Sequence, residues 1–253
     1  MIKAEVIHDS IANGKRISTL VCTYPRFIHA EFMTHRVFSR NASSSRAIPV
    51  AKLIAAAMER TVIPLHWGKN QKGMQADEEV SDSVKSLATT SWLMARDCAV
   101  AAAKELVDYG IHKQIANRLL EPFTTITVIV TATEWSNFFA LRCHKDAEPH
   151  MRYLAEAMRE SLASSSPVER LLHHPYHEDP LVSAARCARV SYLNHDGTEP
   201  SVDKDLVLAE MLRQSGHMSP FEHQARAFTD PDCAFGNFKG WIQYRKTLPN
   251  ESR

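Results

Sequence analysis

The stretch from residue 124 to 133 constrains the fold most strongly, because it is β-branched almost throughout, Thr-Thr-Ile-Thr-Val-Ile-Val-Thr-Ala-Thr. Side chains of this kind pack well on a pleated surface, so the stretch predicts a buried strand. Residues 2–23 alternate apolar and polar side chains on either side of Asn13-Gly14, which is a turn signal. This second pattern predicts an opening β-hairpin.

Apolar residues at helical spacing predict helices in much of the remaining chain. We expect them within 27–35, 50–60, 77–109, 113–120 and 137–142, and from Pro149 to near Leu162. Beyond residue 180, the patterns predict a strand over Leu181 to Tyr192, a helix over 203–214, a strand over 224–229 and a last helix after Asn237. Helices and strands are mixed without regular alternation, so the predicted fold class is α+β.

The overall charge excludes several classes of partner. The chain has 30 basic and 29 acidic residues, so no global field attracts a nucleic acid polymer or a membrane, and any anion site must be a local cluster of arginines. The five cysteines form no C-x-x-C pair, which argues against a disulfide framework and a metal site. Without a signal peptide pattern or an apolar run near the ~20 residues that span a bilayer, we expect a soluble cytoplasmic protein.

Residues 33–46, Met-Thr-His-Arg-Val-Phe-Ser-Arg-Asn-Ala-Ser-Ser-Ser-Arg, concentrate groups that bind phosphate. Arg36, Arg40 and Arg46 are forked, permanently charged donors, three consecutive serines add hydroxyl donors, and His35 has a flat ring. Taken alone, a serine-rich loop with arginines is more often a solvated turn. With the motifs described next, the segment predicts a site for a phosphate and a planar ring.

The segment resembles the signature of flavin-dependent thymidylate synthases, which is R-H-R, seven residues, then Ser. The match is Thr34-His35-Arg36, seven residues, then Ser44, with Arg46 where the family also keeps an arginine. The fold that this resemblance implies is α+β, with a mixed sheet flanked by long helices.

Other stretches extend the resemblance. The run Asn117-Arg118-Leu119-Leu120-Glu121-Pro122 is similar to the family's Arg, three residues, Pro element. Asn137 and Arg142 then fall at the spacing of the family's flavin-contacting Asn and pyrimidine-binding Arg. The runs Ala188-Arg189-Val190-Ser191-Tyr192 and Gly216-His217-Met218-Ser219-Pro220-Phe221-Glu222-His223 are similar to the family's A-R-V-S-Y and G-H-x-S/T-P-x-E-H motifs.

The order of these motifs resembles a circular permutation, because the last two stand at the amino-terminal end in the family. We expect one domain over 1–253, with the signature loop and the Asn/Arg helix in 1–162, a linker over 163–180 and the S-P-F-E-H part in 181–253. The linker contains His173, His174 and His177, which we interpret as solvated rather than metal-binding.

The tail resembles a second, degenerate copy of the segment that leads into the signature. It reads Trp241-Ile242-Gln243-Tyr244-Arg245, with Asn250-Glu251 beyond. We expect the amino-terminal copy to be the functional one, because only that copy has the His-Arg pair and the full Ser-x-Arg ending.

The resemblance implies reductive methylation of dUMP to dTMP by a homotetramer, with one carbon from methylenetetrahydrofolate and a hydride from FAD that NADPH has reduced. By carry-over, the FAD contacts are His35, Arg36, Asn137, His217 and Ser219. The dUMP contacts are Ser44, Ser45, Arg46, Arg118 and Arg142. Arg142 is the catalytic candidate, because a cation beside the N3/O2 edge of uracil favours the ionised base and raises electron density at C5.

Two departures from the family pattern leave other functions open. Thr34 replaces an arginine, and Ala42 stands where the family usually has an acidic residue; Gln243, Arg245 and Glu251 of the tail or of a neighbouring subunit are candidates to replace them. One alternative is a pyrimidine nucleotide hydroxymethylase, in which water replaces the hydride. The other is a non-catalytic nucleotide-binding relative.

Overall fold

The structure is a computed structural model that describes residues 2–190, 198–249 and 251. Ser191 and Tyr192 of the A-R-V-S-Y motif and Asn250 of the tail lie outside the described residues.

A five-stranded sheet forms the centre of the fold. Its strands are β1 (Lys3–Ala12), β2 (Lys15–Pro25), β3 (Ser39–Ala42), β4 (Thr125–Ala132) and β5 (Val168–Glu169). They lie in the order β3-β4-β2-β1-β5, and all neighbours are antiparallel except β1 and β5. The predicted hairpin and the predicted buried strand are therefore confirmed as β1, β2 and β4. Asn13 and Gly14 have φ of 50° and 76°, the left-handed conformation that a tight hairpin turn requires.

Helices account for most of the remaining structure. They are α1 (His29–Phe32), α2 (Val50–Glu59), α3 (Asp82–Asp108), α4 (Lys113–Ala116), α5 (Ser136–Arg142), α6 (Pro149–Ser164), α7 (Pro180–Arg189) and α8 (Val202–Gln214). Short 3₁₀ turns cover Arg26–Ile28, Ser45–Ala47, Asn117–Phe123, Ser219–Glu222 and Tyr244–Thr247. Each predicted helix before residue 180 corresponds to one of these elements, although α1 and α4 are shorter than expected. The predicted α+β class is confirmed.

Short strands complete the described part of the carboxyl-terminal region. They are β6 (Leu172–His173), β7 (Ala225–Ala227), β8 (Ala234–Phe235), β9 (Phe238–Lys239) and β10 (Trp241–Gln243). The strands β10, β7 and β6 form one sheet in that order, and β8 pairs with β9. The strand predicted over 224–229 is confirmed as β7, and the helix over 203–214 as α8.

Two predictions in this region are wrong. The segment predicted as a strand from Leu181 is helix α7 over its described part, because the Asp179 carboxylate accepts hydrogen bonds from the N–H groups of Leu181 and Val182 and so caps the helix. The helix predicted after Asn237 is replaced by β9, β10 and a 3₁₀ turn, and Trp241 in β10 is fully buried.

The stretch 163–180 is not the solvated linker that the sequence suggested. It contributes β5 to the central sheet and β6 to the small sheet, and the side chain of His173 is fully buried. The composition of this stretch is typical of a loop. It does not predict these strands, because their partner strands are far away in the sequence.

The main core lies between the central sheet and helices α5 and α6. The buried residues that the two layers share include Leu20, Val128, Phe138, Leu154 and Met158. This packing fixes α5, the helix that carries Asn137 and Arg142, against the sheet. Among the helices of the described residues, none combines the length and apolar character needed to cross a membrane.

A buried chain of hydrogen bonds crosses β4, β2 and β1 of the sheet. His223 Nδ1 lies 2.8 Å from Thr131 Oγ1, which lies 2.7 Å from Thr19 Oγ1. Thr19 Oγ1 then lies 2.8 Å from His173 Nε2, and His173 Nδ1 lies 2.9 Å from Ser10 Oγ. The chain ties the S-P-F-E-H motif and the segment around His173 to the amino-terminal hairpin.

Candidate functional site

Arg142 joins the Asn/Arg helix to the signature segment. Its Nε donates a 2.9 Å hydrogen bond to His35 Nε2, and its Nη1 donates a 2.5 Å hydrogen bond to Glu31 Oε1. The two acceptors precede Arg142 by 107 and 111 residues. Helix α1 carries Glu31, and His35 follows that helix by less than a turn, so a short piece of chain presents both acceptors.

His35 is held as a neutral ring. Burial lowers its pKa to about 4, and the nearby guanidinium groups of Arg142 and Arg40 act in the same direction. Because Arg142 Nε donates to Nε2, the ring proton is assigned to Nδ1. The ring also packs edge-on against Phe138, with 4.8 Å between centroids. The signature histidine is therefore fixed by α5 on two sides.

Ser45 and Arg118 meet at a shared carboxylate. Ser45 Oγ donates a 2.6 Å hydrogen bond to Glu121 Oε1, and Arg118 Nη1 lies 3.4 Å from the same oxygen. Asn117 Nδ2 donates to the carbonyl oxygens of Ser45 and Ile48 at 2.7 and 2.9 Å. The run from Asn117 to Pro122, which contains the Arg, three residues, Pro element, therefore holds the end of the signature segment in place.

Four of the residues that we expect to contact FAD or dUMP have exposed polar side chains. Arg36, Ser44, Arg46 and Asn137 are exposed, and their side chains make no hydrogen bond to any residue in the described ranges. Exposed arginine, hydroxyl and amide donors are suited to phosphate and to a heterocyclic ring.

The S-P-F-E-H motif reaches the signature segment through Asn41 on β3. With its amide oriented so that Nδ2 faces His223, Asn41 donates to His223 Nε2 at 3.2 Å and to the carbonyl oxygens of Ser219 and Arg40, both at 3.1 Å. Ser219 is exposed at the start of its 3₁₀ turn. His217 is also exposed, and its Nδ1 lies 2.8 Å from Ser215 Oγ.

The tail packs beside the amino-terminal copy. Gln243 is buried, and its Nε2 donates to Ser39 Oγ at 3.0 Å and to the carbonyl oxygen of Glu222 at 3.2 Å. Arg245 forms an ion pair with Glu222 and donates from Nη2 to the carbonyl oxygen of Glu251 at 2.8 Å. The two copies therefore contact each other through Gln243 and Ser39, and each of them contacts the S-P-F-E-H motif.

A cleft of about 450 Å³ opens beside the Arg142 group. Its lining includes Glu31, Arg142 and His66, the loop at 74–77 and the segment 145–149. Glu31 was not among the predicted site residues, although its position four residues before His35 on a predicted helix places both side chains on one face. No group of three or more His, Cys, Asp or Glu side chains in the described part of the chain is placed to hold a metal ion.

The fold and the site define an α+β protein with a signature loop rich in arginine and serine, braced by a second motif from α5. The family model described as thymidylate synthase complementing protein matches residues 3–168, more than half of the chain. The chain therefore belongs to the thymidylate synthase complementing protein family. The family resemblance inferred from the motifs is confirmed.

Individual relatives are more distant. A flavin-dependent thymidylate synthase of Aquifex aeolicus (strain VF5) is 29% identical over 147 residues, which is 56% of this chain and 44% of that relative. The matched stretch is thus less than half the length of the curated relative.

Solved structures of the UMP/dUMP methylase PolB from Streptomyces cacaoi share the fold. The form bound with 5-Br dUMP has a TM-score of 0.54 and 19% identity, and covers 64% of this chain and 90% of the other. The form bound with 5-Br UMP has a TM-score of 0.51 and 18% identity, and covers 64% and 89%.

Proposed function

We propose that this chain is a flavin-dependent thymidylate synthase that converts dUMP to dTMP. In this reaction methylenetetrahydrofolate supplies the carbon, and bound FAD, reduced by NADPH, supplies the hydride that completes the methyl group. One observation carries the proposal: Arg142 Nε meets His35 Nε2 at 2.9 Å, so the Asn/Arg helix and the signature loop come together across 107 residues. Family membership supports the same reaction.

Several exposed donors among the predicted site residues suit dUMP. Ser44, Arg46 and Arg118 offer exposed hydroxyl and guanidinium groups to the phosphate, and Arg142 faces the cleft where the base would lie. Ser45 already donates to Glu121, so we assign it to holding the loop in place. The two PolB structures are bound with 5-Br dUMP and 5-Br UMP, which supports a pyrimidine nucleotide as the ligand of this chain.

The remaining groups suit FAD. Arg36 offers an exposed guanidinium for a diphosphate, and Asn137, His217 and Ser219 offer exposed amide, imidazole and hydroxyl groups for a polar ring. Neutral His35 would add a flat ring beside them. These groups bind and orient the ring system, so the protein's part in the redox step is positioning.

The proposal extends to the organisation of the protein. Hydrogen bonds from His223 and Gln243 to residues of the central sheet support one domain over 1–253, and the adjacent copies support the permuted motif order.

Exposed apolar residues on α3, Val84, Leu87 and Met94, would be covered in a homotetramer. Five free cysteines agree with a reducing cytoplasm.

The function is tested by following NADPH oxidation after adding FAD, methylenetetrahydrofolate and dUMP. We expect oxidation that requires dUMP and that falls at least ~100-fold in Arg142→Ala, because a charged contact to the base is lost. Arg213→Ala is the matched control, since Arg213 pairs with Glu210 on α8 away from the cleft, and it should keep full activity. A product formed without NADPH oxidation would favour the hydroxymethylase, and bound nucleotide without turnover would favour the non-catalytic relative.

A further inference from the structure

The buried hydrogen-bond chain across the sheet ends at a residue that holds the S-P-F-E-H turn. Asn41 lies on β3, and its Nδ2 donates to the carbonyl oxygens of Ser219 and Arg40, both at 3.1 Å. Carbonyl oxygens only accept hydrogen bonds, so the amide nitrogen of Asn41 must face them. The Nε2 atom of His223, which lies 3.2 Å from the same nitrogen, is therefore an acceptor and carries no proton.

This contact fixes the direction of every hydrogen bond in the chain. Burial lowers the pKa of His223 to about 3, so the ring has a single proton, which is assigned to Nδ1 and donated to Thr131 Oγ1 at 2.8 Å. Within the described residues, the acceptor for the Thr131 hydroxyl proton is then Thr19 Oγ1 at 2.7 Å. Thr19 Oγ1 donates in turn to His173 Nε2 at 2.8 Å. Each hydrogen bond is thus donated in the direction from Asn41 to His173.

His173 is the acceptor on which this direction depends. Its ring is fully buried, and its Nδ1 donates to Ser10 Oγ at 2.9 Å. Without an acceptor at Nε2, the hydroxyl proton of Thr19 would be buried and unpaired, unless all the hydrogen bonds reversed. Reversal would place a proton on His223 Nε2 and turn the amide of Asn41, so that its oxygen would face two carbonyl oxygens. The acceptor at His173 therefore stabilises one orientation of Asn41.

We propose that His173 is a positioning residue for the FAD side of the site. Through the hydrogen-bond chain it sets the amide of Asn41, which holds the backbone of Ser219, a residue that the proposed function assigns to FAD. The inference rests on the proposed function. His173 lies outside the family motifs and beyond residues 3–168, which match the family model, so it adds a functional residue from another part of the chain.

Cutting the chain in the middle tests its effect on FAD. Thr19→Val removes the hydroxyl with little change in side-chain shape, and quenching of flavin fluorescence measures the dissociation constant for FAD. We expect this constant to rise roughly 3- to 10-fold, the range for one lost hydrogen bond between neutral groups. The affinity of the FAD-saturated protein for dUMP should not change, because in the described part of the protein the proposed dUMP contacts are not bonded to the chain.

A control and a conservative variant assign the effect to the chain. Thr23 and Thr127 form another hydroxyl pair on the same two strands, at 3.1 Å, so Thr23→Val is the matched control and should bind FAD like the wild type. His173→Phe keeps a ring but removes the acceptor, and it should weaken FAD binding as Thr19→Val does. His173→Gln should restore most of the affinity, because its amide can accept from Thr19 and donate to Ser10.

A second measurement determines the direction of the chain in the wild-type protein without any ligand. ¹⁵N NMR of the histidine rings distinguishes a protonated ring nitrogen from an unprotonated one. We expect His223 and His173 to carry their protons on Nδ1 and to have unprotonated Nε2 atoms.

The outcomes separate this inference from the function beneath it. If the wild-type protein binds FAD and Thr19→Val binds it equally well, the inference is wrong and the proposed function stands. A proton on Nε2 of His223 would also overturn it, as would equal losses of FAD affinity in His173→Gln and His173→Phe. If the wild-type protein does not bind FAD, the proposed function fails, and the inference fails with it.

Discussion

His223 should make the fold sensitive to acid. The side chain is fully buried, with Thr131 Oγ1 2.8 Å from Nδ1 and Asn41 on the Nε2 side. Burial lowers the pKa of His223 from an ordinary 6.5 to about 3. The native ring therefore stays neutral at pH 5, while the same ring in the unfolded chain is almost fully protonated.

The size of this effect follows from the two pKa values. Stability from the neutral ring is fully present above pH 6.5 and is lost as the pH falls from 6.5 towards 3, because the unfolded state binds the proton first. At about 1.4 kcal/mol for each pH unit below 6.5, His223 alone lowers the free energy of unfolding by roughly 2 kcal/mol between pH 7 and pH 5.

Urea unfolding of the wild type and of His223→Gln at pH 7 and pH 5 measures this difference. Glutamine can donate and accept hydrogen bonds but does not titrate, so its loss of stability between the two pH values should be smaller by roughly 2 kcal/mol. Contributions from the other buried histidines, such as His173, are common to both proteins and cancel. The exposed His144 provides the control variant His144→Gln, which should lose as much as the wild type. Equal losses in His223→Gln and the wild type would refute the argument.

Three further substitutions test the packing and the site. Asp205→Asn should lower the free energy of unfolding by about 3–5 kcal/mol in urea denaturation, because the buried carboxylate pairs with Arg186 at 3.0 Å and also with Arg189. Phe138→Ala should cost about 3–5 kcal/mol in the same assay, since the ring is buried in the main core. Arg46→Ala should change stability by less than about 0.5 kcal/mol but weaken dUMP binding at least ~10-fold in calorimetry, because the exposed guanidinium has no hydrogen-bond partner among the described residues.

Each of these three predictions has an outcome that would contradict it. A near-neutral Asp205→Asn would mean that the two arginines find other partners, and a near-neutral Phe138→Ala would mean that the core closes around the gap. Unchanged dUMP affinity in Arg46→Ala would remove Arg46 from the proposed phosphate contacts.

Local sequence patterns were sufficient to predict the main helices and strands of the amino-terminal part. The Asn13-Gly14 turn, the β-branched run in β4 and the spacing from Asn137 to Arg142 each specify a structure that short-range sequence determines. Helix α7 shows the limit of composition: Leu181, Val182 and Val190 suggest a strand, yet the Asp179 cap and Pro180 at the first helical position start a helix.

Long-range pairing explains the other differences. The ring nitrogens of buried His173 lie within hydrogen-bond distance of Ser10 and Thr19, which are more than 150 residues earlier in the sequence. Glu31 and Arg142 likewise meet across 111 residues. Motif spacing predicted which residues are candidates for the site, but the ion pair between Glu31 and Arg142 became visible only in three dimensions.

The central claim is tested most directly by the identity of the nucleotide product. Purified protein would be incubated anaerobically with FAD, NADPH, methylenetetrahydrofolate and dUMP, and the nucleotides analysed by mass spectrometry. We expect dTMP, with a mass increase of one methylene unit over dUMP and with the label when the folate carries an isotopically labelled carbon. A hydroxymethylated nucleotide, or unchanged dUMP in the presence of bound flavin, would contradict the proposed function.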